Sequence, residues 1–585
     1  MKKYFGRISP RSLSIVLLAI LILLAASYVR SSKASPKSPD ASLGVATVSG
    51  TVHSPADFKA GKVYFTNTDR NMTYMVYTTN GRYKAMHLWP GNYDVSVQAK
   101  GLESDVQKMM LKAGENTTED VTLHEATASN IEMVPFTELY PAGLGREIAQ
   151  RTCIRCHGPN FLPSKRWAAP QWKAAIAYMQ SYPMFPASYL TPEDLPAFVD
   201  YLVANFGPNS KPRLTKMIQE MPIDETKISQ AEYIEYYFPA DGPNEGINDP
   251  QYADSQKSNP FGHKRTGQDP QFDGQGNIWV TDRGTPNRIV RLDPRTGEFK
   301  QYVTVNPTRG IHDLNVDRDG MVYSMDNECS PTNMCNLNIF DPKTEKWVSS
   351  YNLDPDHKLT IQRLRAQAVQ FDTQGNAYIG FIQGSGLARW EKETQKVTTW
   401  VMPPDAWPYG VVRDSKDNMW ISEFHRNNVS KFDTTTQTFT EYTPPTSPNL
   451  IRRLSVDSND NVWFGLFSGG KLERLDSKTG KITEWTIPHE NSQPYDIKES
   501  HAAGGKMWFS DAGQGGALIL FDPKTANFTY YPGPQQSDMP KIRVAKDGSV
   551  WYSPRSGRKA GIGVLYPDKN KITLAAMPAD PWPYR

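Results

Sequence analysis

The sequence has little cysteine and little net charge, and both shortages restrict what the chain can be. The formal net charge is only +3 over 585 residues, which gives no argument for nucleic-acid binding. Only four cysteines are present, and Cys329 and Cys335 lie far along the chain from the other two. A structural zinc site on one pair would need a second Cys/His pair. The other two cysteines are therefore not explained by a zinc site.

Those two cysteines belong to the motif Cys153-Ile154-Arg155-Cys156-His157. C-x-x-C-H is the form that attaches a c-type haem, because two thiols at this spacing can each add across a vinyl group of one porphyrin. The histidine that follows is then the proximal ligand of the iron. We predict one covalent haem here and expect the chain to move single electrons.

The chain starts with a positively charged segment, residues 1–11, which precedes an apolar run over residues 13–26. This order predicts export to the periplasm, either with cleavage of the segment or with the segment kept as an inner-membrane anchor. A Ser/Pro/Lys tether completes the predicted region 1–43. Export agrees with c-type haem attachment. It also favours a disulfide between Cys329 and Cys335 over two free thiols.

Residues 44–126 predict a small β domain, because short strand patterns are broken by Gly, Asn and Pro. Three stretches, Val48–Val52, Gly81–Tyr83 and Leu88–Tyr93, resemble the carboxypeptidase regulatory-like domain. The resemblance implies an immunoglobulin-like β-sandwich with an accessory role.

The region 127–225 carries the haem motif between helical patterns, including apolar spacing from Trp172 and an N-cap at Thr191. It resembles a small class I cytochrome c, in which Leu190–Gly207 would be the C-terminal helix. The resemblance implies an all-α domain.

A methionine is expected as the sixth ligand, because a thioether raises the potential and favours electron transfer. Met179 and Met184 are the two candidates, and we favour Met179 because it follows Trp172 by seven positions. The resemblance also implies that the carbonyl of Pro159 holds the proximal imidazole.

The region 226–585 is repetitive. Seven aromatic residues, 42 to 55 positions apart, centre similar strands: Trp279, Tyr323, Tyr378, Trp420, Trp463, Trp508 and Trp551. A period near this length with four short strands predicts the blades of a β-propeller, here seven. Tyr236–Phe238 resembles an additional fourth strand, and we expect it to close the ring. The overall prediction is a mainly β multidomain protein with a β-sandwich, an all-α cytochrome c domain and a seven-bladed propeller.

The propeller region resembles the streptogramin lyase (virginiamycin B lyase-like) family. The resemblance rests on the repeated D-x-x-[GD]-N-x-W turn, on Trp420–Glu423 and on repeated F-D-P-x-T segments. It implies a Mg2+-assisted β-elimination with a histidine base and acidic ligands. Glu423 and His425 lie in the right type of loop, and His312 is a further candidate base.

Loops around one face of a propeller converge on a pocket, and the chain places many arginines there, together with Tyr409 and Tyr495. The candidate ligand-binding arginines are Arg283, Arg365, Arg452, Arg453, Arg543 and Arg555. Arginines at this density predict an anionic or oxygen-rich ligand held by bidentate hydrogen bonds.

Three functions are compatible with these features. The first is an exported haem protein that exchanges electrons with a small molecule or a redox partner protein at the propeller. The second is a lyase with possible use of Mg2+, and the third is a binding or scaffold protein without turnover. We rank them first, third and second, and we predict no nucleic-acid partner.

Overall fold

The computed structural model describes residues 44–127, 131–180, 190–215, 221–243, 245–252, 265–330, 332–359, 364–447, 450–513, 516–555 and 559–578. Val45–Arg585 forms one compact unit. The predicted export segment and Met184 lie outside the described residues. Within the described ranges, no helix has the length and apolarity needed to cross a membrane.

The first domain is a β-sandwich of nine strands. They are β1 Ala46–His53, β2 Lys62–Asn67, β3 Met72–Tyr77, β4 Arg82–Leu88, β5 Gly91–Ala99, β6 Leu102–Ser104, β7 Gln107–Leu111, β8 Asn116–Thr118 and β9 Val121–Glu125. Strand β2 alternates half-buried and buried residues, which is the pattern of a sheet with one face on the core. That core contains Val63, Phe65, Tyr93 and Val95.

A helical segment follows and is bracketed by two parallel strands, β10 Glu132–Val134 and β11 Arg213–Thr215. Its helices are α1 Phe136–Leu139, α2 Leu144–Ala149, a π-helical turn Gln150–Ile154, α3 Arg155–His157, α4 Ala169–Gln180 and α5 Leu195–Phe206. The strand pair makes the segment mixed rather than all-α as predicted. Helices α2 and α5 cross closely because Gly145 has no side chain. A Cβ at this position would lie 2.1 Å from the Tyr201 ring.

A short helix, α6 Glu225–Ile228, leads to β12 Glu232–Tyr237 and then to the propeller, with 3-10 turns at Gly246–Asn248, Pro250–Tyr252 and Lys569–Lys571. Six four-stranded antiparallel sheets follow in chain order. The first three are β13 Gln271–Phe272, β14 Ile278–Asp282, β15 Arg288–Asp293 and β16 Glu298–Val303; β17 Leu314–Val316, β18 Val322–Met325, β19 Asn336–Asp341 and β20 Lys346–Asn352; β21 Arg365–Phe371, β22 Ala377–Gln383, β23 Gly386–Trp390 and β24 Val397–Val401. The next three are β25 Pro408–Arg413, β26 Met419–Glu423, β27 Asn428–Asp433 and β28 Thr438–Tyr442; β29 Leu454–Val456, β30 Val462–Leu466, β31 Lys471–Leu475 and β32 Ile482–Thr486; β33 Pro494–Ser500, β34 Lys506–Asp511, β35 Ala517–Asp522 and β36 Asn527–Pro532.

Burial along each sheet explains the propeller arrangement. Second strands such as β26 are buried at every position, whereas the fourth strand β28 is half-buried or exposed throughout. A strand buried on both faces must lie between two neighbouring sheets, and an exposed strand must lie at the outer edge. Each pair of sheets therefore shares an apolar layer, such as Trp420, Leu454, Val462 and Phe464.

The D-x-x-[GD]-N-x-W pattern forms a turn held by one carboxylate. In the fourth sheet, Asp414 Oδ1 accepts hydrogen bonds from the backbone N–H groups of Lys416 and Asn418, both at 2.9 Å. Its Oδ2 accepts from Asn418 Nδ2 at 2.9 Å and from Trp420 Nε1 at 3.0 Å. The buried tryptophan thereby satisfies its only donor without leaving the core.

The number of separate sheets differs from the seven blades predicted, because six are found. The strands around the seventh aromatic, Trp551, are β37 Ile542–Val544, β38 Val550–Tyr552 and β39 Gly561–Tyr566. Strand β39 pairs with β12 along Glu232–Tyr237, and β12 pairs on its other edge with β3 of the sandwich. A thirteen-stranded sheet results, so these strands belong to a sheet shared with the sandwich and not to a separate four-stranded one.

Candidate functional site

A buried network of charges fills the axis of the propeller. Arg453 donates two hydrogen bonds to Asp313, at 2.9 and 3.1 Å. Lys541 Nζ lies 2.5 Å from an Asp313 oxygen and 3.2 Å from Asp269. Arg543 lies 3.8 Å from both Asp269 and Asp496. These carboxylates compensate the cations next to them, as buried charges require.

This network separates two of the predicted ligand-binding arginines from the rest. Arg453 is 7 % exposed and paired with Asp313, and Arg543 donates to Gln271 at 2.9 Å. Both line a cavity of about 560 Å³ together with Asn315, Ser455 and Lys498. They hold the axis together, and the other four arginines lie in a different environment.

Two tyrosines and an arginine form the centre of that environment. The hydroxyl groups of Tyr409 and Tyr495 share a short hydrogen bond, and Arg452 Nη1 donates to both oxygens at 3.2 Å. The Arg452 guanidinium also lies 4.0 Å above the Phe467 ring and 5.3 Å from that of Phe424. Stacking of this kind favours a guanidinium over an ammonium.

Three further arginines surround this centre. Arg555 is ion-paired with Asp538 and lies 5.5 Å from the Tyr495 ring. Arg365 donates to Asn327 Oδ1 at 2.6 Å. The charges of Arg365 and Arg555 act on Arg283, and among the described residues the Arg283 side chain has no hydrogen-bond or ion-pair partner. We call Arg283, Arg365, Arg452, Arg555, Tyr409 and Tyr495 the arginine–tyrosine cage.

The charges of the arginines in the cage act in one direction, because they lower the pKa of both Arg283 and Tyr495. Burial lowers the pKa of Arg283, and the charges of Arg365 and Arg555 lower it further. Burial raises the pKa of Tyr495, but the charges of Arg452, Arg555 and Arg453 outweigh burial and lower it to about 7. The pKa of Tyr409 is raised by burial and by the charge of Tyr495. The pair therefore carries one proton that dissociates near neutral pH.

Several of these residues occupy the same position in the repeat, four residues after the central aromatic of a second strand. They are Arg283 after Trp279, Phe424 after Trp420, Phe467 after Trp463 and Arg555 after Trp551. The same register gives Asn327, the partner of Arg365, and Ile382, which packs with Phe424 and Phe467. The predicted list missed Phe424 and Phe467 because it considered only polar residues, although this spacing identifies them.

The three candidate catalytic residues are not brought together. His312 contacts the adjacent Asp313 through Nδ1, and burial and the charge of Arg283 lower its pKa well below the usual value. Glu423 lies 3.2 Å from Arg426, and burial raises its pKa to about 7. His425 stacks on Trp407 at a ring distance of 4.5 Å. Over the described part of the chain, no group of three or more His, Cys, Asp or Glu side chains could hold a metal ion.

The C-x-x-C-H loop lies against the same face of the propeller. Ser468, next to Phe467, donates from Oγ to the carbonyl oxygen of Arg155 at 3.1 Å. A Cβ added to Gly158 would lie 3.3 Å from the side chain of Gln493. These two contacts hold the backbone on either side of His157 beside the propeller loops.

The His157 side chain is exposed to solvent, but many protein atoms surround it beyond its immediate neighbours. This enclosure and the charges of Arg452 and Arg555 lower its pKa to about 3. Its ring stacks on Phe161, with centroids 4.1 Å apart. The motif histidine and the cage therefore belong to one electrostatic environment.

Other predicted features of the helical segment have different surroundings. The carbonyl of Pro159 accepts a hydrogen bond from the Tyr140 hydroxyl at 2.5 Å. Met179 is half-buried on α4, and Met184 lies outside the described residues. The Trp172 indole N–H is buried and, among the described residues, has no hydrogen-bond partner. Cys329 and Cys335 form a disulfide with Cα atoms 5.2 Å apart.

Comparison with known proteins identifies two regions. A model described as the virginiamycin B lyase family matches residues 347–581, and one of the carboxypeptidase regulatory-like domain matches residues 47–124. The chain thus contains a carboxypeptidase regulatory-like domain and a virginiamycin B lyase-like β-propeller. No curated protein matches the chain.

Several solved structures have a similar propeller. Selenomethionine-substituted virginiamycin B lyase from Staphylococcus aureus is 19% identical over 51% of this chain and 94% of its own, with a TM-score of 0.44. A catalytically inactive form of that enzyme with quinupristin gives 20% identity, 52% and 95% coverage and a TM-score of 0.45. YCF48 bound to a D1 peptide is 13% identical over 52% of this chain and 91% of its own, with a TM-score of 0.40.

Proposed function

We propose that this protein is an exported c-type cytochrome that exchanges single electrons with a small molecule or a redox partner bound at the arginine–tyrosine cage. The contact between Ser468 and the Arg155 carbonyl, at 3.1 Å, carries this proposal. It fixes a haem-attachment motif beside a cluster of cationic and aromatic side chains. Electron transfer weakens steeply with distance, so a binding site next to the haem motif is what such a protein needs.

The residues present fit a covalent haem. Cys153 and Cys156 have the required spacing, and His157 would bind the iron on one side. Met179, or Met184, would bind it on the other side. The Trp172 indole N–H, which has no hydrogen-bond partner among the described residues, would donate to a carboxylate of the porphyrin. A bound haem would supply reversible one-electron chemistry.

The cage is suited to an anionic ligand. The Arg283 side chain has no hydrogen-bond or ion-pair partner among the described residues, and Arg452 lies on aromatic rings and donates to phenolic oxygens. The Arg283 guanidinium therefore favours an incoming carboxylate or phosphate. The same features would also accept an acidic side chain on the surface of a partner protein.

We further propose that β37, β38, β39 and β12 act as the seventh blade of a closed ring. Lys541, just before β37, reaches Asp269 and Asp313 of the first two sheets, and Phe272 packs edge-on against Trp551. These contacts join the last strands to the first ones. In this arrangement β12 is the closing strand and also continues into the sandwich.

The family match gives a second candidate, a Mg2+-dependent β-elimination. The residues do not fit the metal, because Glu423 is paired with Arg426 and His425 is stacked on Trp407. Replacement of His312 or His425 by alanine would abolish such an activity if it existed.

The deciding experiment follows the visible spectrum of the purified, haem-loaded protein without oxygen. Small organic donors and fractions of periplasmic extract are added in turn. The wild type is compared with Arg452→Gln at the cage and with Arg474→Gln as a matched control. Arg474 also lies over tryptophan rings, at 5.7 and 5.8 Å, but on β31, the third strand of its sheet.

Each outcome has a clear meaning. Reduction of the haem by a small-molecule fraction, slowed by Arg452→Gln and not by Arg474→Gln, supports substrate oxidation at the cage. Reduction by a protein fraction alone, with the same pattern in the variants, supports docking of a redox partner there. Absence of a c-type spectrum, or equal behaviour of both variants, contradicts the proposal.

A further inference from the structure

The hydroxyl groups of Tyr409 and Tyr495 form an unusual pair. They are hydrogen-bonded to each other, and a single guanidinium nitrogen, Arg452 Nη1, lies 3.2 Å from each oxygen. In a hydrogen bond between two hydroxyls only one proton lies between the oxygens. Arg452 can only donate, so it offers no acceptor to the second hydroxyl proton, and its charge favours the phenolate form of the pair.

Charges from every neighbouring element face this pair. Arg452 and Arg453 precede β29, and Arg453 lies 4.8 Å above the Tyr409 ring. Arg555, which follows β38, lies 5.5 Å from Tyr495 and is paired with Asp538. Arg283, which follows β14, acts on both tyrosines.

Two further groups complete these surroundings. His312, ahead of β17, meets the Tyr409 ring edge-on at 6.2 Å and remains neutral near pH 7 because its pKa is strongly lowered. Asp313 is occupied by Arg453 and Lys541. The net charge that surrounds the tyrosine pair is therefore positive.

We infer that the arginine–tyrosine cage binds small planar organic carboxylates together with one proton, which the Tyr409–Tyr495 pair takes up. The inference rests on the proposed ligand site and specifies the class of ligand. Without ligand, the ionised pair supplies the negative charge that the arginines need. When a carboxylate enters, its charge replaces that of the phenolate, and a solvent proton binds to the phenolate oxygen.

The walls of the site select the shape of the ligand. Phe424 and Phe467 flank the Arg452 guanidinium, and Ile382 belongs to the same apolar cluster. A planar anion can lie against these apolar side chains while its carboxylate faces Arg283, whose side chain has no hydrogen-bond or ion-pair partner among the described residues. Aromatic or conjugated carboxylates therefore fit better than compact inorganic anions.

Proton uptake makes the affinity depend on pH in a defined direction. Because the arginine charges bring the pKa of Tyr495 to about 7, the pair is protonated below this pH and a carboxylate binds without a proton. Above it, each carboxylate must bring a proton with it. The affinity should then fall by about tenfold per pH unit.

The test is calorimetric titration of the full-length protein, as purified, with benzoate in buffers of different ionisation enthalpy. We expect uptake of about one proton per benzoate near pH 8 and almost none near pH 6. Tyr495→Phe should remove the uptake and equalise the two affinities, whereas Tyr351→Phe, on the outer strand β20, should behave like the wild type. Arg283→Gln should weaken binding by about tenfold.

Several results would overturn the inference: no benzoate binding, equal binding of neutral benzamide, or uptake that persists in Tyr495→Phe. If Tyr495→Phe does not fold, the ultraviolet absorbance of tyrosinate decides the matter in the wild type. One tyrosinate should appear as the pH rises through about 7 and should disappear when benzoate is added. These readouts do not use the haem, so failure of the haem proposal and failure of this inference can be told apart.

Discussion

Ser468 in the propeller donates a hydrogen bond to the carbonyl oxygen of Arg155 inside the C-x-x-C-H motif, although 313 residues separate them. Gln493 approaches the same loop at Gly158. The backbone that would carry the haem is thus attached to the rim of the cage. This arrangement brings the C-x-x-C-H motif and the loops of the propeller into one place.

The motif cysteines should be essential for a covalent haem. Replacement of Cys153 by alanine removes one of the two thiols, so the porphyrin can keep at most one thioether bond. We expect the c-type absorbance and the covalently bound haem on denaturing gels to be lost or strongly reduced.

The matched control is Cys329→Ala, which removes a thiol of the disulfide instead. It should retain the haem stain. Equal staining of Cys153→Ala and the wild type would contradict haem attachment at the motif.

The buried carboxyl of Glu232 should make stability depend on pH. Its Oε2 accepts from the Met86 N–H at 2.8 Å, and its Oε1 has no partner among the described residues. Burial raises its pKa from 4.5 to about 8, against the opposing Met86 hydrogen bond and the Lys569 charge. The folded state therefore holds the proton more tightly than the unfolded state. Its stabilising effect is complete below about pH 4.5 and is lost as the pH rises to about 8.

Glu232→Gln keeps a neutral hydrogen-bonding group at all pH values. We expect it to be more stable than the wild type near pH 8, by on the order of a few kcal/mol, and similar to it near pH 4.5. Urea unfolding at both pH values measures this, with the exposed Glu298→Gln as control. A wild-type curve that does not weaken between these pH values would contradict the assignment.

The turn carboxylate of Asp414 should be important for blade stability. Asp414→Ala leaves the Trp420 indole N–H and the Asn418 side chain without their acceptor inside the protein. We expect a loss of about 3 kcal/mol in the free energy of unfolding.

Asp433→Ala provides a comparison in the same sheet, since Asp433 caps an exposed turn through Thr435 and Thr436. Its loss should cost about 1 kcal/mol or less. Denaturant unfolding that ranks the two variants in the opposite order would disprove the role of the buried turn.

The Cys329–Cys335 disulfide closes a short loop, with a sequence separation of six. A short loop restricts the unfolded chain only modestly, so its removal should cost about 2 kcal/mol. The double variant Cys329→Ala/Cys335→Ala can be compared with the oxidised and the reduced wild type by denaturant unfolding. An equal midpoint for all three proteins would exclude a stabilising disulfide.

The local repeats made much of the fold predictable. Trp279, Trp420 and Trp463 mark second strands because the Asp-to-indole turn depends only on residues six positions apart. The short strands of the sandwich follow from similar local signals. The count of separate blades was not predictable, because whether β12 ends a blade or continues into β3 depends on a partner more than 150 positions away in the chain.

The sequence by itself determined the chemistry available: a C-x-x-C-H motif, a repeated β unit and an excess of arginines in its loops. Only the tertiary structure decided which arginines pair with the buried carboxylates and which surround the Tyr409–Tyr495 pair. Arg452 and Arg453 are adjacent, yet one lies on Phe467 and the other is bound to Asp313. The reason is physical, because neighbouring residues of an extended segment point in opposite directions and their partners come from distant sheets.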